Sequence, residues 1–114
     1  MKWGRARQDR NPADNTPAHA DGDPDAVRMT AWVHGFVQGV GFRWWTRSQA
    51  LDLGLVGSAS NLADGRVEVV VEGSRTACDA MLGRLRGANT PGGVDQVVAQ
   101  FTEARGGLRG FTER

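Results

Sequence analysis

The chain has little of what several common protein classes require. Its 114 residues include one cysteine, Cys78, which excludes an intramolecular disulfide and fits a reducing compartment. Only two histidines accompany it, so the composition suggests no metal site of the usual thiolate and imidazole kind. No apolar run is long enough to span a membrane, and none near the start is long enough for a secretory signal. A cytoplasmic location is therefore expected. Lysine is nearly absent: Lys2 is the only one, so every positive charge after residue 27 is an arginine. High genomic G+C content explains that bias as well as a function would. Ten arginines face eight acidic residues over 28–114, a balance of +2 that argues against nucleic acid as the main partner.

Large apolar side chains are also missing from the first 27 residues, where Met1 and Trp3 are the only two before Val27 and three of the four prolines fall. Such a segment cannot bury enough apolar surface to offset its ordering entropy, and a disordered tail is expected over 1–27. Met29, just before the first strand-like run, is a candidate translation start. The remaining 28–114 suffices for one two-layer domain with a modest core.

What is present has a clear order. In "RMTAWVHGF" (28–36), Met29, Ala31 and Val33 alternate with Thr30, Trp32 and His34, the period of a strand with one buried face. Positions 42, 46, 49, 50 and 53 share one arc of a helix that Gly54 stops. "LVGSASN" (55–61) reads as a weaker strand. In "NLADGRVEVVVEG" (61–73), Asp64-Gly65 suits a two-residue hairpin turn, and Val67, Val69 and Val71 alternate with polar positions. Ser74 is a plausible N-cap for a helix carrying Ala77, Cys78, Met81, Leu82 and Leu85 at helical spacing. After the turn-rich "GANTPGG" (87–93), "VDQVVAQF" (94–101) is a fourth strand, and "GFTER" (110–114) adds a short fifth. The order βαββαβ predicts an α+β, ferredoxin-like two-layer sandwich: an antiparallel sheet with both helices on one face.

The stretch "HGFVQGVGFRWW" (34–45) carries the chemistry. Glycine tolerates positive φ, so successive N–H groups at 37–42 can turn toward one point. The loop runs into a helix N-terminus, which favours an anion, and Arg43 adds a planar fork suited to two phosphate oxygens. Familiar nucleotide motifs fail: no Lys-Ser/Thr follows the glycines, and Trp44 stands where G-x-G-x-x-G needs its third glycine. Glycine spacing alone supports a phosphate cradle and a tight strand-to-helix turn equally.

"GFVQGVGFR" (35–43), followed by "LGLVGSASNLADGRVEV" (53–69), closely resembles the acylphosphatase family. The resemblance runs over essentially all of 28–114. It implies a ferredoxin-like enzyme that hydrolyses acyl phosphates to a carboxylate and inorganic phosphate without a cofactor or metal. By resemblance, Val37, Gln38, Gly39, Val40, Gly41 and Phe42 supply backbone donors to the phosphate, Arg43 grips it, and Asn61 positions the attacking water. An asparagine orients water but cannot deprotonate it, and no carboxylate is expected beside these residues, so the substrate's own phosphate is the expected proton acceptor. The expected partner is a small-molecule acyl phosphate, with no membrane or nucleic-acid partner, and a monomer is expected.

The chain departs from the family pattern at Ser58-Ala59-Ser60, where an aromatic usually precedes the asparagine. Losing that packing surface predicts a looser strand and modest turnover, and the alternative is a non-catalytic phosphate or acyl-phosphate binding module of the same fold. Thr112 and Glu113 stand where the family more often has apolar residues, which weakens the fifth strand. His34 reads as a surface-strand residue and Cys78 as core filling. Trp44 falls opposite the core arc beside the loop. An exposed aromatic there suits an acyl group or a partner, but exposed apolar residues are also common without a role.

Overall fold

The computed structural model describes residues 25–114. In chain order its elements are β1 (Val27–Phe36), α1 (Phe42–Asp52), β2 (Val56–Asn61), β3 (Val67–Gly73), α2 (Arg75–Leu85), β4 (Gly93–Glu103) and β5 (Phe111–Glu113). The tail expected over 1–27 otherwise lies outside the described residues, but its last residues take part in the fold. Ala26 is buried, and Val27 begins β1, paired with Gly73 on one side and Glu103 on the other. Composition misses this because an alanine and one valine add little to a window rich in Asp and Pro.

Alternation builds the sheet. Met29, Ala31 and Val33 of β1 stand in register with Val71, Val69 and Val67 of β3, and all six are fully buried on one face. Onto that face α1 lays Phe42, Thr46 and Ala50, and α2 lays Cys78, Met81 and Leu85. Full burial of a side chain of valine or leucine size contributes about 1.5–3 kcal/mol, so this layer is the main source of stability. The α2 start is the expected one: the Ala77 N–H donates to Ser74 Oγ at 3.1 Å.

The strand order β4-β1-β3-β2-β5 is antiparallel between its first four members. β5 pairs in parallel with β2, so the sheet is mixed rather than wholly antiparallel. The cause is the connection over 104–110, which leaves β4 at one edge and crosses to the other. Glu72 holds this strap, accepting from the Arg105 and Gly106 N–H groups, each at 3.0 Å, and from Arg28 Nε at 2.7 Å.

Two further expectations change in detail. β2 is fully paired despite its serines: every residue of Val56–Asn61 has a partner in β3, and Ser58 is buried. The β2–β3 hairpin closes on a Leu62–Arg66 pair, Leu62 N–H to Arg66 O at 2.9 Å, so the loop is Ala63-Asp64-Gly65 and not two residues. Gly65 takes positive φ, and Asp64 accepts from the Arg66 N–H and guanidinium, an arrangement of the three-residue hairpin kind. Local composition is alike for both loops, and the strand register decides between them.

Candidate active site

β1 ends in a loop that turns on two glycines. Gly39 has φ 75° and Gly41 φ 82°, and a side chain at either would be strained. Val37 is buried and anchors the loop to the core. The first helical bond of α1 runs from the Trp45 N–H to the Gly41 carbonyl at 3.0 Å, leaving the N–H groups of Phe42, Arg43 and Trp44 without helical partners. No side chain caps this end, and no acidic residue lies in the first turn. The positive end of the helix dipole is therefore uncompensated from within the helix.

Beside this terminus lies a recess of about 80 Å³. Val37, Gly39, Gly41 and Phe42 line it from the loop, Arg43 and Trp44 from α1, and Glu113 from β5. Arg43 donates from Nη1 to the Arg114 main-chain oxygen at 2.8 Å, which fixes the guanidinium and leaves its other donors available. Five of the seven residues assigned to phosphate binding thus share one cavity.

The other two do different work with their side chains. Gln38 turns toward the hairpin and donates from Nε2 to Leu62 O at 2.8 Å and to Arg66 O at 3.0 Å. Val40 packs against the edge of the core. Asn61 does not line the recess. It is exposed at the end of β2, and its N–H donates at 3.3 Å to the same Arg114 oxygen that receives Arg43. Gln38 and Arg114 therefore tie the loop, α1 and the end of β2 together from two sides.

Glu113 corrects the expectation that no carboxylate accompanies the motif residues. In the parallel register it stands beside Ala59, whose side chain is in the core, so Glu113 projects from the helix-bearing face toward α1. Strand alternation within "GFTER" was the signal available; the parallel pairing that gives it meaning was not. Of the remaining residues, His34 is half-buried on the strand, Cys78 is fully buried, and Trp44 is 62% exposed. Among the described residues no three His, Cys, Asp or Glu side chains gather as a metal ion requires, and no helix is long and apolar enough to cross a membrane.

Fold and site define a small α+β domain in which loop glycines, an uncapped helix N-terminus and one arginine surround a single recess. Comparison with known proteins agrees. An acylphosphatase family model matches residues 29–113. An acylphosphatase of Thermobifida fusca is 63% identical over 90 residues, covering 79% of this chain and 99% of its own. One from Rhodococcus jostii is 64% identical over 87 residues, covering 76% and 98%. The crystal structure of the Bacillus subtilis acylphosphatase superposes with a TM-score of 0.70 at 28% identity, over 77% of this chain and 98% of that one. The chain belongs to the acylphosphatase family, whose reaction is the hydrolysis of acyl phosphates.

Proposed function

We propose that this chain hydrolyses acyl phosphates at the recess beside Arg43. The phosphoryl group sits against the loop N–H groups of 37–42 and the start of α1, with Arg43 gripping two of its oxygens. Asn61 orients a water in line with the bond to the acyl oxygen. The water oxygen bonds to phosphorus, the bond from phosphorus to the acyl oxygen breaks, and the carboxylate leaves with that electron pair. The water's proton passes to a phosphoryl oxygen, so the products are a carboxylate and inorganic phosphate. Charge spread over the equatorial oxygens meets donors already in place, and positioning with electrostatic stabilisation carries the rate.

The observation that carries this reading is the uncapped α1 terminus opening into the same recess as Arg43. The same proposal takes the protein as a cytoplasmic monomer acting on a small molecule, without metal or nucleic acid.

The test is metal-free hydrolysis of benzoyl phosphate, followed by absorbance, for the intact chain, Arg43→Ala and Asn61→Ala. Turnover that survives chelator and falls by about 10²–10³ in each variant is the expected result. A folded chain no faster than buffer, whose melting temperature still rises with inorganic phosphate, would instead be a phosphate-binding module without turnover.

A further inference from the structure

The recess holds two side chains that the proposed reaction does not use. Trp44 and Glu113 both line it, and both are exposed. Among the described residues, no hydrogen bond or ion pair engages the Trp44 indole or the Glu113 carboxylate. This contrasts with Trp32, whose Nε1 donates to Glu68, and with Glu72, which is fully engaged. At about 80 Å³ the recess accommodates a phosphoryl group, and a larger acyl group attached to it extends outward past the mouth. Trp44 and Glu113, as exposed members of the same lining, offer that group an aromatic face and a negative charge.

We infer that Trp44 and Glu113 form the acyl subsite, which selects acyl phosphates with a flat apolar or cationic acyl group and disfavours those with a second anionic group. This rests on the hydrolytic reading above. An indole face attracts both flat rings and cations, and a neighbouring carboxylate strengthens the second preference. The carboxylate also repels an anionic acyl group, while the phosphoryl group itself is held by Arg43 and the loop. Trp44 therefore sets the ratio of aromatic to small acyl substrates, and Glu113 sets the ratio of cationic to anionic ones.

The experiment compares kcat/KM for acetyl, benzoyl, 4-trimethylammoniobenzoyl and 4-carboxybenzoyl phosphates in the intact chain, Trp44→Ala and Glu113→Gln. Trp44→Ala is expected to lower the benzoyl-to-acetyl ratio by about tenfold. Glu113→Gln is expected to lower the cationic-to-anionic ratio by about fivefold, and less so at high salt. Both residues are exposed, so melting temperatures serve as the check that each variant folds. Hydrolysis with a ratio unmoved by either variant removes that residue from the subsite and leaves the hydrolytic reading standing. An intact chain that hydrolyses none of the four overturns both.

Discussion

Arg43 and Asn61 meet at a single atom. The main-chain oxygen of Arg114 accepts from Arg43 Nη1 at 2.8 Å and from the Asn61 N–H at 3.3 Å. The residue assigned to grip phosphate and the residue assigned to orient water are therefore positioned by the end of the short fifth strand, which is itself fixed by the Arg114 N–H donating to Ala59 O at 2.7 Å. A chain ended at Glu113 loses that shared acceptor. The expected result is a KM for benzoyl phosphate raised about threefold to tenfold, the worth of one or two exposed hydrogen bonds, together with a lower kcat as Asn61 loosens. Steady-state kinetics on the shortened chain measure both, and unchanged constants would show that Arg43 is held by other means.

Gln38 braces the loop by donating to two carbonyls of the β2–β3 hairpin. Gln38→Ala is expected to cost about 1–2 kcal/mol of stability and to lower kcat/KM, because the loop loses its tie to the hairpin. Gln38→Glu is the sharper test. It keeps the shape but offers only acceptors to two carbonyl oxygens, so urea unfolding should show a larger loss than for alanine. A glutamate variant as stable as the parent would remove Gln38 from this role.

Much of this arrangement was legible in the sequence, for reasons that also mark where legibility stopped. The alternation of Val67, Val69 and Val71 and the arc of Phe42, Thr46 and Ala50 are local periodicities, and each places its element and its buried face. The loop "VQGVGFR" was legible as a strand-to-helix turn from its glycines, while its assignment to phosphate came from the family resemblance, because glycine spacing alone suits a cradle and a tight turn equally. Glu113 and the side-chain role of Gln38 were not. Each depends on a pairing across the fold, the β2–β5 register and the approach of the loop to the hairpin, and no window of neighbouring residues encodes either. The hairpin loop differed by one residue for the same reason: Leu62 pairs with Arg66, and only the ladder behind them decides that.

Cys78 lies on the buried face of α2 with no exposed surface. Burial pushes its thiol up, the Asp79 carboxylate adds to the effect, and the result is about 11. At pH 8 the folded protein therefore presents almost no thiolate, and the sulfur is out of reach of reagents. An aromatic disulfide reagent should leave the native chain unmodified and titrate one thiol as urea unfolds it. Rapid labelling of the native state would mean that α2 opens locally at low cost.

Glu72 ties the 104–110 strap to the sheet, and the strap carries Glu113 and the Arg114 oxygen to the site. Burial alone would raise its carboxyl pKa, but the Arg105 N–H, the Arg28 guanidinium and the Gly106 N–H outweigh that and hold it below the ordinary 4.5. Its stabilisation is therefore complete at neutral pH and is lost as the pH falls through the lowered value. Glu72→Gln leaves Arg28 facing a neutral amide and replaces one of the two accepting oxygens by an NH2, so one of the Arg105 and Gly106 N–H groups loses its acceptor. The expected cost at pH 7 is about 3 kcal/mol, as for a buried pair broken from one side. Because protonation already weakens the parent under acid, the gap between parent and variant should narrow as the pH falls below 4.5. Urea unfolding of both proteins across that range measures it. A gap that stays constant would mean that the carboxylate's charge contributes nothing and that Glu72 acts through shape alone.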